Sequence, residues 1–296
     1  MGRSLHLALA LVAGSILAGD ALAVDLFVDN LSGDDRNNGQ GAATVSHGNG
    51  PVRTIGKALR LAGAGDRIFI NPNGGQPYRE CVTLQGGAHS GFGDIVLEIV
   101  GNGAVLDGSL PLAEATWEVV GEDLYATRPP KMSFQQLFLD GQPALRVQGT
   151  GDEIPQLQPR QWSLFKGQII FRTDAGRIPS SYNPSCCGHP VAITLYEVHD
   201  LVIRDLTIRG YQLDGVNAHD NVTRCDLVGI SSTENGRSGF SIGGASRVRL
   251  DECSASGNGA AQVRTEGYSQ THIIGGLFDE TTAPALVQAG GKVTKE

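Results

Sequence analysis

Apolar residues return at intervals of 24, 23 and 24 between positions 201 and 287, and no other feature of the 296-residue chain limits its fold as tightly. The offsets alone generate four rows: Ile203, Leu227, Leu250, Ile274; Leu206, Ile230, Cys253, Leu277; Val216, Phe240, Val263, Val287; and Leu201, Cys225, Val248, His272. Asn235-Gly236 and Asn258-Gly259 also superpose, at 23. Within each unit the apolar positions alternate, as in Leu201-x-Ile203 and Leu206-x-Ile208, which is the period of a strand with one buried face. A unit this short, holding two or three strands, cannot bury its apolar face alone, so successive units must stack and share a core. The spacing therefore predicts an all-β chain folded as a parallel β-helix. A leucine-rich repeat has a similar length, but it needs leucines at close fixed spacing, whereas these rows mix Val, Ile, Phe and Cys with glycine-rich corners.

Composition narrows the function. A chain that is 40% hydrophobic and 18% charged is neither a long coiled coil nor a disordered tail. Its formal charge is −8, with no cluster of lysines and arginines, so nucleic acid is not an expected partner. The first residues, Met1-Gly2-Arg3, precede an apolar run over 7–17 and then Ala21-Leu22-Ala23. One positive charge, a short apolar core and small residues at a cut site describe a secretory signal peptide over 1–23. A single domain over 24–296, secreted or periplasmic, is the expected product. The apolar run is shorter than the ~20 residues of a membrane span, so no membrane insertion of the mature chain is expected. The five cysteines, Cys81, Cys186, Cys187, Cys225 and Cys253, have neither zinc-site spacing nor an even count, so stability should rest on the core rather than on disulfides. Cys225 and Cys253 fall in the inward rows as small core residues.

Ahead of the repeats, Leu26-Phe27-Val28 reads as a strand. Ile55, Ala58, Leu59 and Ala62 recur at helical spacing behind Thr54 as N-cap, and strands follow at Arg67-Ile68-Phe69-Ile70 and Cys81-Val82-Thr83-Leu84. The pieces Gly33-Asp34-Asp35 with Asn38-Gly39, Thr54-Ile55 with Ala58-Leu59, Gly65-Asp66 before a strand, and Tyr78-Arg79-Glu80 resemble the N-terminus of secreted right-handed parallel β-helix proteins of the pectate-lyase-like superfamily. The resemblance covers about residues 25–109 and 190–290. It implies a right-handed parallel β-helix whose N-terminal helix caps the first coil, covering a sheet edge that would otherwise recruit other chains. It specifies architecture more than activity, because the superfamily includes lyases, glycoside hydrolases, epimerases and proteins without known chemistry.

The stretch over about 110–189 breaks the period. Trp117-Glu118-Val119-Val120, Asp123-Leu124-Tyr125 and Phe138-Leu139-Asp140-Gly141 suggest short strands joined by Asp-Gly and Pro turns, hence a β-rich insertion packed on the β-helix rather than further coils. Phrases such as Val105-Leu106-Asp107-Gly108 and Gln136-Leu137-Phe138-Leu139-Asp140-Gly141 look like those of β-helix glycoside hydrolases and turn the expectation toward carbohydrate. The loop Asp34-Asp35-Arg36-Asn37-Asn38 is a candidate Ca²⁺ site, since clustered carboxylate and amide oxygens suit that ion. The same residues also suit a solvated turn whose side chains bond their own backbone.

No H-E-x-x-H, G-x-S-x-G or phosphate-loop motif occurs in the sequence. Polygalacturonase-like enzymes of the superfamily carry Asn-x-Asp, Asp-Asp and Gly-His-Gly on successive coils, and the repeats here hold none of these. Reactive groups must then be sought on the outside of the coils. Alternation turns the neighbours of the Val216 row outward, giving Asn217, Ser241, Arg264, Gln288 and, two residues on, His219, Gly243, Glu266, Gly290, with Asp214 and Asp220 flanking the first strand. His219 and Glu266 would stand roughly 10 Å apart across two coils, a span of one or two sugar residues. Arg204, Asp205, Asp251 and Glu252 are read instead as surface ion pairs. Three functions remain open for an exported polysaccharide-directed protein. A lyase on a uronic-acid polymer would use Arg264 to neutralise a carboxylate and His219 to take a proton. A glycoside hydrolase would pair Asp214 or Asp220 with Glu266, and a non-catalytic protein would bind glycan or protein along the stacked sheet.

Overall fold

The computed structural model describes residues 23–149 and 151–296, so the expected leader lies, apart from Ala23, outside the described residues. The chain is a parallel β-helix. Its largest sheet runs Asp25–Val28, Arg67–Ile70, Leu97–Asp107, His199–Arg209, Thr223–Val228, Arg247–Asp251, Gln270–Ile274 and Lys292–Lys295, each strand parallel to the next. Through that sheet Leu26, Ile68, Ile99, Ile203, Leu227, Leu250 and Ile273 stand in one register, all nearly or fully buried. This column explains the repeat: each coil adds one aliphatic side chain to a shared stack that no coil could bury alone. A second sheet, Val82–Gln85 to Leu286–Gln288, closes the other side of the same core.

The register corrects the last member of each predicted row. Leu250 pairs Ile273, Val263 pairs Leu286, Val248 pairs Thr271, and Ser254, not Cys253, pairs Leu277. The final interval is thus 23, and Ile274, Val287, His272 and Leu277 each sit one residue past the inward position. Alternation makes such a one-residue slip visible, because it turns an apolar side chain outward: Leu277 is 71% exposed. The Asn-Gly pairs mark a corner in which Asn235 and Asn258 are fully buried. Asn258 Oδ1 accepts from the Asn235 backbone N–H at 2.9 Å and from Asn235 Nδ2 at 3.0 Å, satisfying polar groups that a buried corner would otherwise leave bare.

The helix Ile55–Leu61 begins behind Thr54, whose hydroxyl accepts from the Lys57 N–H at 3.1 Å, and it buries Ile55, Ala58 and Leu59 against the strands of the first coil. Between Asp107 and Ile193 the chain leaves the coils. It forms a four-stranded sheet (Ser109–Pro111, Ser185–Cys187, Leu137–Leu139, Gln142–Pro143) and a five-stranded one running from Glu118–Gly121 to Leu145–Arg146, antiparallel except for one pair. This antiparallel module has its own cores, one around Leu137, Trp162, Phe171 and Tyr182 and a smaller one around Ala126, Leu157 and Ile170. It docks tightly on the coils. A methyl group on Gly236 would lie 1.6 Å from the Phe134 carbonyl oxygen, so only glycine admits that approach. All five cysteines are free, Cys81 exposed and the others buried.

Candidate functional site

The second sheet presents one broad outer face built from Val82–Gln85, Ile193–Tyr196, Asp214–His219, Ser238–Ile242, Ala261–Thr265 and Leu286–Gln288. Val82, Ile193, Val216, Phe240 and Val263 form its inward column, so their neighbours Thr83, Thr194, Asn217, Ser241 and Arg264 form a column on the other side. Two residues further on, Gln85, Tyr196 and His219 stand in register. The pairs Ala218–Ile242 and Ile242–Thr265 bring Gly243 and Glu266 into the same row. His219 and Glu266 are therefore two coils apart, about 10 Å at ~4.8 Å per coil. In the last coil the shortened interval puts Val287 beside Arg264, where Gln288 was expected, and Ala289, rather than Gly290, beside Glu266.

Two arginine–carboxylate pairs stand along this sheet, one on its outer face and one enclosed at its corner. Arg264 Nη2 lies 3.3 Å from Glu266 Oε2, with the two side chains 30% and 44% exposed, so a ligand can reach both. The second pair is closed. Asp214 has no exposed surface, and Arg237 holds it through two bonds of 2.9 and 2.5 Å. Burial pushes the Asp214 carboxyl up, against the pull of the Arg237 guanidinium and, more weakly, of Arg264. Phe134, arriving from the antiparallel module, stacks its ring 5.9 Å from the Arg237 guanidinium. The same segment is tied down by Gln212, which donates to the Ser133 carbonyl at 2.6 Å, and by Gln136, which donates to the Gly257 carbonyl at 3.0 Å.

The predicted contact residues therefore separate. His219, Asp220, Arg264, Glu266 and Asn217 keep accessible surface on the face. Asp214 and Ser241 do not: Asp214 shares the inward parity of Val216 and is fully buried against Arg237, and Ser241 is 2% exposed, so both are corrected from ligand contacts to parts of the scaffold. A two-carboxylate arrangement would then fall to Asp220 and Glu266. The Asp220 carboxylate lies 3.5 Å from His219 Nε2. Tyr196, 38% exposed, sits beside His219 with ring centroids 6.3 Å apart, giving the face an aromatic platform that the repeat rows had left out. The register would have found it, since Tyr196 pairs directly with His219.

The candidate Ca²⁺ loop is a brace. Asp35 accepts from the backbone N–H groups of Arg53 (2.9 Å) and Thr54 (3.0 Å) and from the Thr54 hydroxyl (2.8 Å), holding the start of the helix. Asp34 pairs with Arg36, and Asn37 donates to the Pro51 carbonyl at 3.0 Å. The Asp34 and Asp35 oxygens thus have partners within the protein, and among the described residues no group of three or more His, Cys, Asp or Glu side chains is placed to hold a metal ion. Arg204 pairs with Glu98 and Asp205, and Asp251 with Arg249, as surface ion pairs. Sequence reasoning missed a cleft of about 340 Å³ between module and coils, where Arg79 and Arg209 approach one buried carboxylate, Asp107, at 3.7 and 3.2 Å. Residues from three distant segments meet there, which no local pattern could announce. Among the described residues no helix is long and apolar enough to cross a membrane.

No protein-family model and no curated protein matches the sequence. Solved structures similar in fold include a complex of XylC with xylose, with 12% identity and TM-score 0.44 over 92% of this chain and 70% of that one. A glycoside hydrolase aligns with 10% identity and TM-score 0.45 over 92% and 96% of the two chains. A rhamnogalacturonan lyase aligns with 10% identity and TM-score 0.40 over 92% and 63%.

Proposed function

We propose that the protein is exported and binds an acidic polysaccharide along the outer face of the second sheet, acting on it as a lyase. One observation carries the reading: accessible Tyr196, His219, Arg264 and Glu266 occupy adjacent rows of an unbroken parallel ladder, so their spacing repeats at the scale of a sugar chain. Arg264 is the carboxylate contact, because a guanidinium stays charged and binds a uronate through two parallel hydrogen bonds. His219, exposed and two coils away, is the group available to take a proton beside a neutralised carboxylate. The hydrolase alternative loses Asp214 to its enclosure and rests on Asp220 with Glu266.

The mutual neutralisation of Arg264 and Glu266 favours a second reading, a non-catalytic glycan-binding face, since a cation already paired gives less to a developing charge. A panel of acidic and neutral polysaccharides separates the readings, with unsaturated ends followed by ultraviolet absorbance, reducing ends assayed separately and binding measured on the same polymers. The lyase reading requires unsaturated ends from a uronic-acid polymer and their loss in His219→Ala. Binding without either product leaves the non-catalytic reading, and reducing ends without unsaturation support hydrolysis. If Arg264→Ala and Glu266→Gln leave both binding and turnover unchanged in a folded protein, the face is ordinary surface.

A further inference from the structure

Where the antiparallel module meets the corner of the coils, a cleft of about 390 Å³ opens, within the roughly 300–1,000 Å³ of small-molecule sites. Gln136, Arg146 and Gln148 line it from the module, and Glu234, Thr281 and Thr282 from the coils. Arg146 lies beside Trp162 in the parallel strand pair, with its guanidinium carbon 5.2 Å from the centre of the Trp162 ring. Trp162 is itself fully buried and anchored by its indole N–H to the Ala144 carbonyl at 3.0 Å, so the surface under the guanidinium is rigid. The Arg146 Nε is enclosed without a hydrogen-bond partner, and among the described residues no carboxylate lies within 4.0 Å of this guanidinium.

Glu234 stands on the coil side at the end of the strand Ser231–Thr233, held at φ 58° on a left-handed corner. Among the described residues its carboxylate has no hydrogen-bond or ion-pair partner, and burial pushes the carboxyl up, against the weaker pull of the Arg209 guanidinium. The contrast with Asp214 and Arg237 is informative. There, a buried carboxylate and a guanidinium face each other and satisfy each other. Here, a guanidinium and a carboxyl face a shared cleft and leave their hydrogen-bonding capacity to whatever occupies it.

We propose that this cleft is a binding site for a saccharide unit carrying one carboxylate, a uronic acid, with the carboxylate on Arg146 and the ring hydroxyls on Gln136, Gln148, Glu234 and the two threonines. A planar guanidinium already oriented by an aromatic face loses little freedom on taking a carboxylate through its fork. The amide, hydroxyl and carboxyl groups opposite it are the donors and acceptors that a polyol needs, and Pro143, Ala144 and Leu145 provide an apolar side for the ring's C–H face. The assignment shares the class of sugar with the proposed function but not the site, and it requires nothing of the sheet face.

The test is a calorimetric titration of the full chain with glucuronate and with galacturonate, using glucose and inorganic phosphate as comparison ligands. Saturable binding of at least one uronate, with glucose and phosphate weaker, is expected. Arg146→Gln should weaken it about tenfold or more, the effect of losing a charge-assisted hydrogen-bond pair. Arg146→Lys keeps the charge without the fork and should weaken it less, while Glu234→Leu, on the opposite wall, tests the cleft should the Arg146→Gln variant fail to fold. Arg264→Ala on the sheet face should leave this titration unchanged. No uronate binding by the wild type, glucose bound as tightly as the uronates, or wild-type affinity in a folded Arg146→Gln variant would overturn the proposal. Because polymer turnover on the sheet face is read separately, loss of the cleft assignment and loss of the lyase reading are distinguishable.

Discussion

The coils and the antiparallel module bury apolar surface by different rules. In the coils, the column from Leu26 through Ile68, Ile99, Ile203, Leu227 and Leu250 to Ile273 repeats one contact many times, with aliphatic side chains stacked at the strand spacing. In the module, the larger of two clusters depends on individual aromatic fits: Phe171 meets Tyr182 edge-on at 5.4 Å and Trp117 at 6.2 Å, around the fully buried Trp162. A repeated contact distributes stability over nearest neighbours, whereas a unique cluster concentrates it in a few side chains. The difference also assigns chemistry. The coils lay out accessible groups in rows, and the module closes over the corner where those rows begin, covering Arg237 with Phe134 and creating the cleft at Arg146 and Glu234.

The comparison breaks most easily at its deepest point. Leu250→Asp places an unpaired charge in the middle of the stacked column, an expected cost of more than about 4 kcal/mol, and should unfold the coils outright. A soluble variant with an unchanged thermal midpoint would show that the column is not the core. Trp162→Ala should cost about 3–5 kcal/mol, the usual penalty for removing a buried aromatic side chain, but hydrogen exchange should show the loss of protection confined to the module. Equal loss of protection in the coils would mean that the two regions unfold as one unit.

Arg237→Ala leaves the Asp214 carboxylate buried without its partner and should destabilise by about 3 kcal/mol, while Arg264→Ala, whose partner Glu266 is 44% exposed, should cost ~0–1 kcal/mol. Chemical denaturation of the two variants checks this directly, and similar values would erase the distinction between the closed and the open pair. A pH-dependent effect concerns Asp29, which directly follows the first strand. Burial pushes its carboxyl up, but hydrogen bonds from Ser32, Leu31 and Asn73 outweigh it and bring the carboxyl from 3.8 down to about 2. A carboxyl depressed in the folded state stabilises above its unfolded value, and that contribution is lost as the pH falls from about 4 through about 2. Asp29→Asn should flatten the stability profile in that window alone, as read from melting temperatures at successive pH values.

Much of the coil was legible because its side chains obey a period. Ile203, Leu227 and Leu250 could be aligned by counting, and Thr54 with Ile55, Ala58 and Leu59 announced its helix through a cap and a face. The last coil was misread by one residue because a single shortened interval leaves apolar residues at both Ile273 and Ile274, and only strand pairing chooses between them. The earlier coils were read as strands and by resemblance, but their register with the repeats was not legible from any offset. Ile99 and Ile203 are neighbours in the column, but the module separates them in sequence and no constant offset connects them.

The candidate site divides in the same way. His219, Arg264 and Glu266 were placed together by alternation and offset, since neighbours along a strand face opposite sides and parallel coils keep register. Asp214 shares the parity of Val216, so the same alternation turns it inward, and only the tertiary structure shows that Arg237, from the next coil, meets it there. The amino-acid sequence by itself determined the stacked coils and the order of groups along their surface, because both follow from local periods of two and of about 24 residues. Tertiary structure alone decided which of those groups reach solvent and that Arg146 and Glu234 line one cleft, because exposure and proximity depend on where a non-repeating segment docks, and docking is set by contacts between residues far apart in the chain.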